Sequence, residues 1–224
     1  MSTYVVGDLH GQISLLIALL DKVSFDKKRD RLIAVGDVLD RGSRVGDLLN
    51  FLYEAAGAGW FQSVKGNHEE SFLRFRSGEC LSWYTSPAFG GETTLAFFAK
   101  MGENYARTME EWISSWPLAW SDENAIVVHG SLPPVSGTSL GDLDLCETRM
   151  AGDAGGHECL ELRPPNLYPS WDGRLVVSGH TIVRKAGFRK DGIAMVDTGA
   201  YRTGILSAFC LESGQFHRVS GIPE

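Results

Sequence analysis

This chain of 224 residues carries four cysteines, Cys80, Cys146, Cys159 and Cys210, and none of them forms a Cys-x-x-Cys pair. Their wide spacing argues against a disulfide-stapled secreted scaffold and predicts reduced thiols in a cytoplasmic protein. Cys146 and Cys159 as a disulfide or metal pair is the sharper and poorer reading. No apolar run approaches the ~20 residues that span a bilayer. No basic stretch followed by an apolar one opens the chain, so neither a secretory signal nor a membrane partner is expected. Basic residues are in deficit, 21 Lys and Arg against 28 Asp and Glu, giving a net charge of −7. That balance argues against a generic nucleic-acid-binding surface and leaves room only for a local basic site. Repeats, low-complexity tracts and interdomain linkers are also missing. Hydrophobic residues at 43% and charged residues at 22% give a globular composition. The length suits one sizeable core, so a single domain over residues 1–224 is expected.

The apolar patterning alternates between two periods. Thr3–Val6, Arg31–Val35 and Trp60–Val64 read as strands, and Ala125–Val128 as another. Gln12–Val23, Gly46–Ala56 and Glu69–Arg76 have helical spacing. Strand and helix in alternation imply βαβ units with parallel pairing. The segment from about residue 77 to 121 is rich in Trp, Phe and Met, with helical patterns at Glu92–Met101 and Tyr105–Ser115, and reads as a helical insertion stopped near Pro117. Residues 131–172 are Gly- and Pro-rich and read as a loop or lid region. Arg174–Val177, Ile193–Asp197, Ile205–Leu211 and Gln215–Val219 are closely spaced strands, and this meander suggests a second, partly antiparallel sheet.

Four short blocks follow the strands: Gly7-Asp8-Leu9-His10-Gly11, Gly36-Asp37-Val38-Leu39-Asp40-Arg41-Gly42, Gly66-Asn67-His68-Glu69 and Val127-Val128-His129-Gly130. A fifth, Ser178-Gly179-His180-Thr181, comes later. Strand ends are where an α/β sheet gathers ligands. Asp8 and His10, two apart in extended chain, would face one side and share a cation. The Asp37 carboxylate has two oxygens and could bridge two ions. Asn67, His129 and His180 offer an amide oxygen and two imidazoles to the second. Mixed nitrogen and oxygen donors suit Mn, Fe or Zn better than Ca. Two such ions activate a water and stabilise both attacking and leaving oxygens. His68 is left to protonate the leaving oxygen, with Asp40 orienting it and favouring the imidazolium. Arg41 presents a fork suited to phosphate. Any one block is ordinary turn chemistry, but four of the six histidines lie inside the blocks. His157 and His217 fall outside them and read as surface or loop residues.

The five blocks in this order resemble the calcineurin-like metallophosphoesterases. The forms Asp40-Arg41-Gly42 and Asn67-His68-Glu69 are most similar to the bacterial and phage serine/threonine phosphoprotein phosphatases. Phe89-Gly90-Gly91-Glu92-Thr93-Thr94-Leu95, Trp116-Pro117-Leu118 and Val196-Asp197-Thr198-Gly199-Ala200 extend the resemblance over nearly the whole chain, and residues 137–172 match least. The resemblance implies an α/β (α+β) fold, two mixed β-sheets in a sandwich flanked by helices, with a dimetal site at strand ends. It implies Asp8 and His10 on one metal, Asp37 as the bridge, and Asn67, His129 and His180 on the other. His68 would be the general acid with Asp40 as partner, and Arg41 would bind phosphate. The family's second phosphate-binding arginine follows a tryptophan. Here the nearest match is Arg149 in Cys146-Glu147-Thr148-Arg149, which lacks it, and Arg163 competes.

The expected activity is phosphomonoester hydrolysis by a metal-bound hydroxide, on a phosphoprotein or phosphopeptide, with two divalent ions (manganese, with iron or zinc as alternatives). The alternative is a nucleotide hydrolase similar to symmetrical diadenosine tetraphosphatases. Those enzymes typically depart from the Asp-Arg-Gly and His-Glu forms seen here. A binding module without catalysis is the third reading, and the complete ligand set argues against it. Nothing in the sequence bears on oligomeric state.

Overall fold

In the computed structural model, residues 1–133, 158–170 and 172–224 are described. Among them are ten strands in two five-stranded sheets. β1 (Thr3–Val6), α1 (Ile13–Lys22), β2 (Arg31–Ala34), α2 (Val45–Gly57) and β3 (Phe61–Ser63) open the chain. β1 pairs in parallel with β2, and β2 with β3. Three helices follow, α3 (Asn67–Arg76), α4 (Glu92–Met101) and α5 (Glu103–Ser114). β4 (Ala119–Ser121), β5 (Ala125–Val128), β6 (Leu175–Ser178), β7 (Gly187–Phe188) and β8 (Ala194–Met195) build the second sheet. After the short α6 (Ala200–Thr203) come β9 (Ile205–Cys210) and β10 (Gln215–Ser220).

The sheet orders are β10-β9-β1-β2-β3 and β4-β5-β6-β8-β7. In the first, β1, β2 and β3 run parallel while β9 and β10 pair antiparallel on the other side of β1; in the second, β5, β6 and β8 are parallel and the outer β4 and β7 antiparallel. This corrects the expectation for the C-terminal meander. β6 and β8 do join the second sheet, but β9 pairs with β1, and β10 with β9, in the first. Closely spaced strands usually pair with one another, so spacing alone could not reveal the split. His217 sits on β10, not in a loop, half-buried with its ring 5.8 Å from that of Tyr4.

Period-two alternation assigns each sheet face. Val5 and Ile33 point inward with Val35, Val64 and Phe209, and meet Val127, Val177, Ala194 and Val196 of the second sheet. That shared cluster makes the two sheets a sandwich. Val6, Leu32 and Ala34 point the other way, into a core with the helices. Both faces of the first sheet are thus covered, which is why its parallel strands read as unbroken apolar runs. α1 buries Ile13, Leu15, Leu16, Leu19 and Leu20, a stripe at helical spacing, against β9 and β10. Each such side chain stabilises by roughly 1.5–3 kcal/mol when fully buried.

Candidate metal centre

Parallel β1, β2 and β3 all deliver their carboxyl ends to one side of the sandwich, as do β5, β6 and β8. Asp8, Asp37, Asn67, His129, His180 and Asp197 follow these strands within a few residues. They converge on a cleft of about 320 Å³ that Asp8, Asp37, Arg41, Asn67, His68 and His180 help to line. Asn67 is the first residue of α3, so it enters from a helix N-terminus rather than a strand end.

The connections are held in unusual backbone. His10 (φ 40), Asp37 (φ 50), Asp40 (φ 67), Arg41 (φ 66) and His180 (φ 57) are left-handed without being glycine. Such positions cost on the order of 1–3 kcal/mol each and persist only where surroundings impose them. The His10 value corrects the extended i, i+2 reading of Asp8 and His10: a turn aims His10 into the site. Leu9 and His10 both donate their N–H groups to the Asp37 carbonyl, at 3.0 and 2.9 Å. The buried Glu69 carboxylate clamps the second loop, accepting from the N–H groups of Asp37 (2.8 Å), Val38 (2.8 Å), Leu39 (3.1 Å) and Gly66 (2.9 Å). Gly66 is obligatory: a Cβ there would lie 2.2 Å from Asp37 Oδ1 and 2.5 Å from the Asp37 nitrogen. The N–H of His68 donates to Asp37 Oδ1 at 3.1 Å, so the carboxylate caps the N-terminal end of α3.

Two groups of candidate ligand atoms form, each within 4.8 Å: His10, Asp37 and His68, and Asp37, His129 and His180. Asp37 belongs to both. Its Oδ2 lies 3.6 Å from His10 Nε2, and its Oδ1 3.4 Å from His129 Nε2. His129 Nε2 is also 2.9 Å from Asn67 Oδ1 and 3.2 Å from His180 Nδ1. Ligands about 2.1 Å from one ion stand about 3.0–3.4 Å apart, so the second group has the spacing of a coordination shell. Tautomers agree. His10 Nδ1 meets the Leu39 carbonyl at 2.6 Å and His129 Nδ1 the Val35 carbonyl at 2.7 Å, which leaves both Nε2 lone pairs facing the cleft. These acceptors converge with few donors among them, which is what a cation requires. Asp8 belongs to neither group. It lines the same cleft, with Oδ1 accepting from the His180 N–H at 3.1 Å.

Burial dominates the electrostatics. It raises Asp8 and Asp37 well above the usual carboxylate range, with Asp197 and then Asp37 adding to it at Asp8, and Glu69 at Asp37. It lifts Asp197 to about 6. It pushes His10 and His129 well below the usual imidazole range and His180 to about 3, helped by neighbouring imidazoles or arginines. The histidines are therefore neutral and ready to donate lone pairs.

His68 Nδ1 meets Asp40 Oδ2 at 2.7 Å, the pairing expected from the sequence. The expected preference for the imidazolium is not met: burial, then Arg41, holds His68 well below its ordinary value. Asp40 is lifted by burial to about 7. Arg41 donates to His10 Nε2 at 3.0 Å and lies over the Tyr201 ring, 4.3 Å from its centroid. Arg149, like Cys146 and His157, lies outside the described residues. Arg163 lines the cleft and donates to the His180 carbonyl at 3.1 Å. The sequence reading assigned no role to Glu69, Tyr84, Phe89, Thr94, Asp197 or Tyr201, all of which touch the site. Glu69, Phe89, Thr94 and Asp197 lie inside stretches that carried the family resemblance; Tyr84 and Tyr201 had no such signal.

A two-sheet sandwich with buried carboxylates, imidazoles and an amide at its strand ends, beside a His–Asp pair and arginines, defines a metallohydrolase. Comparison with known proteins gives the family. The model of the calcineurin-like phosphoesterases matches residues 1–184, and the chain belongs to that family. Its members use a dimetal site and act on phosphoesters, and no helix among the described residues is long and apolar enough to cross a membrane. Serine/threonine-protein phosphatase 2 of Salmonella typhimurium is 27% identical over 207 residues, 92% of this chain and 91% of that one. A symmetrical bis(5'-nucleosyl)-tetraphosphatase of Pseudomonas putida is 25% identical over an alignment covering 97% and 92%. A further match at 45% identity spans only 84 residues, 37% of each chain. Among solved structures, a candidate diadenosine tetraphosphatase superposes with a TM-score of 0.67 at 23% identity, over 100% of this chain and 95% of that one.

Proposed function

We propose that the protein is a metal-dependent phosphomonoester hydrolase acting on phosphoserine and phosphothreonine in proteins. Asp8, His10 and Asp37 would hold one divalent cation, and Asp37, Asn67, His129 and His180 a second; manganese, iron and zinc all suit this donor set. When bound, the two cations supply an activated water and stabilise charge on the phosphoryl oxygens. The chain's own residues do the rest. Arg41 would bind two phosphoryl oxygens through its fork, and Arg163, which lines the same cleft, would add a second cationic contact. His68, oriented by Asp40, delivers a proton to the ester oxygen as its bond to phosphorus breaks. His68, neutral at rest, takes up from solvent the proton it delivers; water forms the new bond to phosphorus and releases its own proton to solvent, so the cycle closes with His68 neutral. A neutral resting imidazole fits this cycle, since His68 takes up its proton during turnover.

The observation that carries the protein substrate is the size of the cleft. At about 320 Å³ it stands at the small end for ligand sites and suits one phosphorylated side chain. Two nucleosides joined by four phosphates would lie mostly outside it. The end-to-end similarity to a serine/threonine-protein phosphatase agrees. The second reading, a dinucleoside tetraphosphate hydrolase, is favoured by the equally extensive Pseudomonas match. Turnover of a phosphothreonine peptide and of diadenosine tetraphosphate by the Mn²⁺-loaded protein separates the two. The proposal expects the peptide to have the higher kcat/KM; a faster dinucleotide would replace it with the second reading.

A further inference from the structure

Asp40 is wholly buried, and each of its carboxylate oxygens has a separate duty. Oδ2 holds His68 Nδ1 at 2.7 Å. Oδ1 accepts two hydroxyl hydrogens, from Tyr84 at 2.9 Å and from Thr94 Oγ1 at 2.5 Å. Thr94 Oγ1 also accepts the Asp40 N–H at 3.0 Å, so one hydroxyl fixes both the backbone and the side chain of Asp40. Tyr84 and Thr94 are themselves fully buried. The carboxylate plane cannot turn without breaking one of these bonds. The imidazole beyond it is fixed by its edge on Asp40 and by its face on Phe89, stacked at 4.0 Å and 18°.

We propose that Tyr84 and Thr94 are positioning residues for the Asp40–His68 pair, holding the carboxylate so that the imidazole keeps Nε2 turned toward the departing ester oxygen. Neither belongs to the metal-ligand blocks; they lie 44 and 54 positions beyond Asp40. Two donors on Oδ1 also favour a carboxylate over a carboxylic acid at Asp40. On this view the segment around α4 is part of the proton-delivery apparatus and not merely a cover over the helical core. The inference rests on the reading of His68 as the proton donor, and its test separates the two.

A misplaced proton donor harms poor leaving groups more than good ones, because a good leaving group departs without a proton. A general structural defect harms both alike. The experiment compares phenyl phosphate with p-nitrophenyl phosphate on Mn²⁺-loaded wild type, Tyr84→Phe, Thr94→Val, Thr94→Ser and His68→Ala, with bound metal measured throughout. For Tyr84→Phe and Thr94→Val, kcat on phenyl phosphate should fall about 10- to 100-fold at nearly unchanged KM and metal content. The loss on p-nitrophenyl phosphate should be clearly smaller, and Thr94→Ser should recover most of the activity. Equal losses on both substrates, or none, overturn the inference while a steep, leaving-group-dependent loss in His68→Ala leaves the His68 reading standing. An unaffected His68→Ala overturns both.

Discussion

Asp37 offers one oxygen to each candidate metal group, and no other side chain belongs to both among the described residues. Asp37→Asn should therefore lower the affinity for both ions, by at least about 100-fold, which metal analysis after gel filtration will show. Loss of one ion alone would make Asp37 a ligand and not a bridge. Glu69 has a different task, since its carboxylate accepts four backbone N–H groups around the Asp37 loop. Glu69→Gln turns donors toward donors and should cost about 2–3 kcal/mol of stability in denaturant unfolding. Arg163 lines the cleft from outside the sequence blocks; Arg163→Ala should raise KM for phosphomonoesters about tenfold with kcat less affected. At this scale the candidate ligands were legible because each follows a strand within a short local block. Tyr84 and Thr94 were not legible as partners of Asp40. Their hydroxyls reach it only through the packing of distant segments, and a buried Tyr or Thr in sequence looks like any core residue.

The junction of β3 with α3 shows how elements aim these groups. Gly66 lets the chain turn against Asp37, after which the first turn of α3 presents Asn67, His68 and Glu69 in three different directions. Gly66→Ala inserts a methyl where no room exists, so it should destabilise by about 1–3 kcal/mol and weaken metal binding in the same samples. Unchanged metal affinity would separate the junction from the site. The strands Thr3–Val6 and Ala125–Val128 and the helix Glu92–Met101 could be read to the residue, because the strands are unbroken apolar runs flanked by glycine or polar residues and the helix lies between Gly91 and Gly102. β4 and β7, at three and two residues, are too short to carry a period. That β9, with β10 folded back on it, joins β1 could not be read either. Pairing with β1 spans about two hundred positions, and only the shared inner layer around Val5 and Phe209 favours it.

Across the whole molecule, the site sets carboxylates against imidazoles. Asp40, raised to about 7, and Asp197, raised to about 6, bind protons more tightly folded than unfolded. Their contribution to stability is present in acid and is lost as pH rises through about 6 to 7. The imidazoles run the other way. His180, lowered to about 3, contributes fully above the ordinary histidine value and loses that contribution as pH falls toward 3. A bound cation favours the ionised carboxylates and the neutral imidazoles together, so its binding releases protons. The gain in Tm on adding Mn²⁺ should accordingly grow between about pH 5.5 and about pH 8; a gain that is flat or shrinks would count against cation binding by these groups. The account rests finally on a pair of ions acting together on a phosphate ester. Its most direct test is titration of chelator-stripped protein with Mn²⁺, following bound metal and p-nitrophenyl phosphate turnover in the same samples. Turnover should appear as the second equivalent binds in the wild type and stay absent in Asp37→Asn. Full turnover in the stripped protein, or in Asp37→Asn, would contradict it.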